Sequence, residues 1–286
     1  MSSKDQDQEV PLALPAPTIE AACIAQRGML AVETRRCVPD EIAIAFTYNG
    51  ATHAVMMATP CDLEDFAIGF SMTEGVIDEA ADIDSLEVIS TPLGIEVQMW
   101  LKGERGKAYI ARKRSMAGPT GCGLCGVESL EAAMRPLPKV TQPAWRLTSQ
   151  ALVAAMASLE PAQSLNAATH AVHAAGFWTE AEGLVALRED VGRHNALDKL
   201  AGALVRNGRN ATAGIIVMTS RVSIELIQKA ARLDAPVLAA VSAPTAAAIR
   251  LAEESGMTLI GVARRQDFEI FTHPDKMLSE TNRHVA

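Results

Sequence analysis

Between Gly214 and Val262 three short apolar runs alternate with two helical stretches, and this alternation narrows the possible folds more than any other feature of the chain. Gly214–Met218, Pro236–Val241 and Met257–Val262 have the length and branched-apolar content of buried strands. Ser223–Leu233 and Thr245–Glu254 place Leu, Ile and Ala at helical spacing. Strand, helix, strand, helix, strand in succession gives parallel strands joined by right-handed crossovers, so the expected fold class is α/β. In an open parallel sheet the ligand crevice lies beyond the carboxyl ends of the strands. The loops to watch are therefore Thr219–Val222, Ser242–Pro244 and Ala263–Asp267. The first two lead into helix N-termini, where free N–H groups and the positive dipole end favour a phosphate. Thr219, Ser220, Arg221, Ser223, Ser242 and Thr245 thus become candidate nucleotide-binding residues. In the third loop Arg264 and Arg265 can grip phosphate oxygens with paired hydrogen bonds.

Nearer the N-terminus, Ile42–Tyr48 and Thr52–Ala58 flank Asn49-Gly50, the dipeptide best suited to a two-residue hairpin turn. Leu63, Phe66, Ala67 and Phe70 then recur at helical spacing, with Gly75 placed to stop the helix. Strands are expected near Leu86–Ile89 and Gly94–Leu101, which completes a smaller α+β domain. Pro136, Pro138 and Pro143 mark a linker, after which Ala-rich helices (Ala151–Leu159, Asn195–Val205) and short strands (Ala171–Ala175, Leu184–Leu187) precede the alternating unit. The expected organisation is a disordered tail over 1–20, an α+β domain over 21–115, a cysteine loop and linker over 116–147 and an α/β domain over 148–286.

A net charge of -8 opposes nonspecific binding to nucleic acid or an anionic membrane, so any phosphate site must be local. Met1–Glu20 lacks the basic, apolar and small-residue order of a signal peptide, and no run of about 18 apolar residues occurs, so a soluble cytoplasmic protein is expected. Five cysteines, with only one close pair, do not make a secreted disulfide framework.

That close pair lies in Thr120-Gly-Cys-Gly-Leu-Cys-Gly-Val-Glu128, where glycine follows each thiol and frees the backbone. Cys122 and Cys125 can be half of a zinc site, a dithiol redox pair, a nucleophile that accepts and donates sulfur, or two small packed side chains. Zinc lacks a second ligand pair of suitable spacing among His170, His173 and His194, so no permanent metal is expected. A redox pair of the thioredoxin kind sits near the start of a βαβ unit rather than in mid-chain. Sulfur transfer requires a thiolate, which Arg112-Lys113-Arg114 upstream and a helix over Val127–Met134 would favour.

The GCGLCG loop, the run Glu189-Asp-Val-Gly-Arg-His-Asn-Ala-Leu-Asp-Lys-Leu200 and Thr219-Ser-Arg-Val-Ser223 together resemble the FdhD family of formate dehydrogenase accessory sulfurtransferases, and the resemblance extends from about Glu33 to Leu278. It implies a cytidine-deaminase-like three-layer domain beside the smaller N-terminal one. It further implies a persulfide on Cys122, with Cys125 as an auxiliary thiol. The sulfur would come from a cysteine desulfurase and pass to the molybdenum bis-molybdopterin guanine dinucleotide cofactor, held as a client, for the catalytic subunit of formate dehydrogenase. The family's cofactor-binding stretch falls on Val262, Ala263, Arg264, Arg265, Gln266, Asp267 and Phe268, the loop reached above from sheet topology. Zinc deaminases use an HxE motif and a PCxxC pair, whereas the matching elements here offer His194-Asn-Ala196 and Ser220-Arg-Val-Ser223, without the glutamate or either thiol. One departure is Thr169-His-Ala-Val172, where Thr-Gly-Gly is expected.

Arg193 and His194 start a helix with an apolar stripe of Leu197, Leu200 and Leu204, and they join the cofactor-binding candidates alongside a purely structural role for His194. Glu189 and Asp190 can pair locally with Arg193 or receive hydrogen bonds from a guanine edge, the local pairing being favoured. His173 is expected in the core, and Cys23, Cys37 and Cys61 are taken as incidental. A homodimer would suit a cofactor with two nucleotide arms.

Overall fold

The computed structural model describes residues 13–107, 109 and 137–278. In the N-terminal half β1 (Thr18–Arg27) and β2 (Leu30–Pro39) form a separate ribbon. Next come β3 (Ile42–Tyr48), β4 (Ala51–Ala58), α1 (Leu63–Thr73), β5 (Ile83–Thr91) and β6 (Gly94–Leu101), with the strands in the order β4-β3-β6-β5. Asn49 and Gly50 take φ of 50° and 76°, as the predicted tight turn between β3 and β4 requires. Gly75, at φ 69°, ends α1 by turning its N–H back to the Met72 carbonyl (3.0 Å). Phe66 and Phe70 press α1 onto the sheet around Phe46, which stacks on Phe70 at 4.6 Å and meets Phe66 edge-on at 4.9 Å.

The β1–β2 ribbon is not apparent from hydrophobic runs, because both strands are largely exposed. It begins at Thr18, inside the stretch 1–20 expected to be a tail. In register, Ile19, Ala21, Cys23 and Ala25 lie opposite Val38, Arg36, Thr34 and Val32 on one face, while Glu20, Gln26, Glu33 and Arg35 share the other.

The second half runs α2 (Ser149–Ala157), α3 (Leu159–Ala162), α4 (Ser164–Thr169), β7 (His173–Thr179), β8 (Gly183–Asp190), α5 (Arg193–Arg206), β9 (Ile215–Met218), α6 (Ile224–Arg232), β10 (Val237–Ala240), α7 (Ala246–Ser255), β11 (Thr258–Arg264) and β12 (Asp267–Ile270). Its six strands lie in the order β12-β11-β10-β9-β7-β8. The expected parallel core is β9, β10 and β11, flanked by antiparallel β7 and β12. Alternate residues face opposite ways. Ile216, Met218, Leu238, Ala240 and Leu259 pack with Leu197, Leu200, Leu226 and Ile227 beneath α5 to α7, whereas Ile215, Val217, Val237, Ala239 and Ile260 meet Leu147, Leu152 and Leu159 on the other side. The result is helix, sheet and helix in three layers.

Two expectations change. The strand thought to end at Val262 continues to Arg264 and returns as β12, so the third loop is a shorter hairpin turn than the Ala263–Asp267 loop expected. Residues 137–147, assigned to the linker, pack on the second half: Val140 is 3% exposed with its N–H on the Ser255 carbonyl (2.9 Å), and Leu147 bridges Met277.

The halves meet where α1 crosses α5. A Cβ on Gly69 would collide with the Asp198 carbonyl, and one on Gly202 with the Asp65 carbonyl, so the two glycines let the backbones touch. Around the crossing Asp65 pairs with Arg188 (2.6 Å) and Arg206 (2.8 Å), and Lys229 pairs with Asp198 (3.0 Å) and Glu74 (2.9 Å).

Candidate functional site

At the carboxyl ends of the parallel strands, backbone bonds stitch the three loops together. The Thr245 N–H reaches the Val222 carbonyl (2.9 Å), Val222 bridges Pro244, and the Val262 N–H reaches the Ser242 carbonyl (3.3 Å). Arg264 adds its Nε to the Val241 carbonyl (3.2 Å). The N-termini of α6, capped at Ser223, and α7, capped at Thr245, therefore open side by side.

Not every hydroxyl predicted for this crevice is free to serve a ligand. Thr219 Oγ1 accepts from the Ala174 N–H (2.9 Å), Ser220 Oγ donates to the Arg221 carbonyl (3.0 Å) while almost fully buried, and Thr245 Oγ1 accepts from the Ala248 N–H (3.2 Å). These three shape the loops. Arg221, Arg264, Arg265, Gln266 and Asp267 are exposed, Ser242 and Phe268 are half-buried, and Ala263 is buried. Val262 and Arg265 both have positive φ (52° and 57°), which twists the strand end and its turn.

The third wall is the start of α5. His194 Nε2 lies 3.3 Å from Ser223 Oγ and 4.0 Å from Glu225 Oε2, joining the first turns of α5 and α6. Burial and the Arg193 guanidinium push the His194 imidazole down to about 4, so it is neutral at pH 7. Burial alone would raise the Glu225 carboxyl, but the Ser223 hydroxyl, its own backbone N–H, His194 and Arg193 outweigh it and hold the group below the ordinary carboxylate range. Arg193 Nε and Glu225 Oε2 are both buried and have no hydrogen-bond partner.

The rest of the run 189–200 is structural, and not by the local pairing with Arg193 that its spacing suggests. Glu189 accepts the Leu165 and Asn166 N–H groups (2.8 Å each) at the start of α4. Asp190 and Lys199, both 0% exposed, form an ion pair at 2.7 Å. Asp190 also accepts from the Thr59, Gly192 and Asn195 nitrogens at 3.0, 2.7 and 2.9 Å, and Lys199 donates to the Thr59 carbonyl at 2.9 Å. Cys61, taken as incidental, has its sulfur 3.7 Å from the Lys199 ammonium, yet burial raises its thiol to about 11. His170 occupies the left-handed region (φ 55°, ψ 31°) at the end of α4, where a glycine would sit without strain, which accounts physically for the glycine expected there. His173 is half-buried, with burial and Arg193 lowering its imidazole.

Cys122 and Cys125 lie outside the described residues. Glu225 was missed by the sequence reading; its only signal is a carboxylate in a helix first turn beside the Ser223 cap, which is ordinary for any helix. Among the described residues no set of three or more His, Cys, Asp or Glu is placed to hold a metal ion, and no helix is long and apolar enough to cross a membrane.

Comparison with known proteins covers nearly the whole of this architecture. Residues 39–278 match the family model described as the FdhD/NarQ family. A protein named "Sulfur carrier protein FdhD" from Agrobacterium fabrum is 53% identical over 243 residues, 85% of this chain and 90% of that protein. Proteins of the same name from Xanthomonas campestris and Cupriavidus necator are 49% and 47% identical over 88% and 86% of this chain, and over 89% and 85% of their own lengths. A crystal structure from Desulfotalea psychrophila, described as a formate dehydrogenase accessory protein, superposes with a TM-score of 0.70 at 23% identity over 91% of this chain and 99% of its own, and so shares the fold.

Proposed function

The chain belongs to the FdhD/NarQ family, and from that premise we propose that it is a sulfur carrier for formate dehydrogenase maturation, taking persulfide sulfur from a cysteine desulfurase and passing it to the molybdenum bis-molybdopterin guanine dinucleotide cofactor. The relatives named as sulfur carriers, identical at about half of the aligned positions, support the carrier role. The observation that carries the nucleotide part is the crevice itself: two helix N-termini and the Arg264–Arg265 hairpin are tied together at the carboxyl ends of parallel strands, an arrangement suited to phosphates. We read the second half as a deaminase-like frame in which His194, Ser220 and Ser223 stand where a zinc enzyme would place its ligands. Serine hydroxyls in place of thiolates make a poor zinc site, so the frame is read as serving nucleotide binding rather than deamination.

Loading is a thiol exchange. The Cys122 thiolate attacks the outer sulfur of the donor persulfide, a new S–S bond forms on Cys122, and the donor cysteine leaves as its thiolate, with no net oxidation. After incubation with a cysteine desulfurase and free cysteine, mass spectrometry should show the full chain heavier by one sulfur atom, with the adduct absent from Cys122→Ala. Retention of the adduct in that variant would move the carrier site elsewhere. Full maturation of formate dehydrogenase by a variant lacking both Cys122 and Cys125 would leave the protein a cofactor-holding chaperone instead.

A further inference from the structure

At the amino ends of β10 and β11, opposite the crevice, lies a cavity of about 190 Å³, where the segments 142–147 and 275–277 close over Val237 and Thr258, the first residues of the two strands. The Leu278 N–H on the Leu147 carbonyl (2.9 Å) ties the two segments together. β11 runs seven residues, so roughly 20 Å of strand separates this cavity from the crevice. Its lining is graded. Leu147, Val237, Thr258 and Met277 are buried and form the floor, Trp145 and Lys276 are half-buried, and Arg146 is exposed at the mouth. On the floor, Thr258 Oγ1 is buried without a hydrogen-bond partner, which native proteins seldom allow. The two cations lack a counter-charge as well. Arg146 Nη1 donates to the Asp275 carbonyl (3.4 Å) and Lys276 Nζ to the Gly256 carbonyl (2.8 Å), and neither side chain forms an ion pair among the described residues. Burial pulls the Lys276 amine below its ordinary value by more than the Asp275 and Glu253 carboxylates restore, so an anion alongside would favour its charged form.

We propose that this cavity is a second ligand site, which takes a small planar organic carboxylate: the anionic group between Arg146 and Lys276 at the mouth, the ring on the apolar walls, and a polar far end hydrogen-bonded to Thr258. The size is right for one ring, since an engineered cavity of about 150 Å³ already admits benzene. Trp145 and the rings of Pro143 and Pro236 give flat, stiff walls, which suit a planar body better than a flexible chain. The charge is that of a monoanion. Asp275 also lines the cavity and would repel a dianion, and neither proline offers the backbone N–H groups that cradle a phosphate. A guanidinium and an ammonium at the mouth are the donors a carboxylate prefers, and a hydroxyl on the floor serves a ligand that either donates or accepts. The site is independent of the sulfur-carrier reading, because it shares no residue with the crevice or with Cys122.

The test is titration calorimetry and saturation-transfer NMR on the full chain with 4-hydroxybenzoate, benzoate and the neutral isostere benzamide. The carboxylates should bind at millimolar concentration or tighter, as ligands of about ten non-hydrogen atoms commonly do. Benzamide should bind roughly tenfold more weakly than benzoate, and 4-hydroxybenzoate more tightly than either. Arg146→Gln and Lys276→Met should each weaken benzoate severalfold and leave benzamide nearly unchanged. Thr258→Val should abolish the advantage of 4-hydroxybenzoate over benzoate without lowering the urea midpoint, because it deletes a hydroxyl that has no bond to lose. Circular dichroism checks that each variant folds, and Arg146→Gln, altered at an exposed position, decides the matter if Lys276→Met does not fold. Inorganic phosphate, a ligand suited to the helix N-termini of the crevice, should not displace benzoate. Displacement by phosphate, benzamide binding as tightly as benzoate, or benzoate affinity unchanged in the folded cation variants overturns the assignment, and so does the absence of any binding at millimolar concentration.

Discussion

Protonating His194 in the folded protein means placing a cation beside Arg193 in a partly buried site, which is why its imidazole is held down at about 4. The unfolded chain would protonate the same ring near its ordinary value of 6.5. Between those values the unfolded state binds the extra proton, so the stability contributed by a neutral His194 is present above about pH 6.5 and is lost as pH falls toward 4. Asp198 acts in the opposite sense. Burial raises its carboxyl to about 6, so its ionisation lowers stability as pH rises from its ordinary 3.8 toward that value. Comparing His194→Gln with the unaltered chain cancels the Asp198 contribution. Thermal unfolding across pH 4 to 7 should show an acid-side loss of up to about 1.4 kcal/mol per pH unit that is present in the unaltered chain and missing from the variant. Parallel profiles would mean that the ring is as easily protonated folded as unfolded. At this scale the sequence marked Arg193, His194 and Ser223 but not Glu225. Glu225 lies 31 positions beyond His194 in the chain, and a carboxylate in a helix first turn is too common to single out.

Helices α1 and α5 cross at Gly69 and Gly202 with no side chain between the backbones. In an exposed helix interior, glycine to alanine adds up to about 1 kcal/mol of stability. Here the sign reverses, because the added methyl meets a backbone carbonyl that cannot move without shifting the helix. Gly69→Ala and Gly202→Ala should each lose about 1–3 kcal/mol or more in urea unfolding; a gain would show that the helices separate at no cost. The elements were largely legible because their signals are local. The Asn49-Gly50 turn, the Gly75 stop and the alternation from Gly214 onward each depend on a few neighbouring residues and their dihedral preferences. The β1–β2 ribbon escaped notice since strands exposed on both faces show no apolar run, and β12 escaped because four residues of mixed burial resemble a loop.

Across the whole molecule the N-terminal sheet and the six-stranded sheet are joined through α1 and α5, through Asp65 with Arg188 and Arg206, and through the buried Lys199–Asp190 pair with the Thr59 backbone. Losing one partner of such a buried pair typically costs about 3–5 kcal/mol, so neither half can release the other cheaply. Two variants with the other tryptophans replaced by phenylalanine, one retaining only Trp100 in the first half and one only Trp178 in the second, should report coincident urea transitions; separated midpoints would show that the halves unfold independently. The sequence by itself determined that the core strands are parallel and alternate with helices, the loops that border its crevice and the family to which the motifs belong, because these follow from hydrophobic periodicity and short runs of residues. Only the tertiary structure decided that Asp190 and Lys199 lock onto a segment 131 and 140 residues away, or that Arg193 and Glu225 face one site with an unpaired atom each. Partners so distant in the chain are brought together by packing, and nothing in the local pattern around either residue encodes the other.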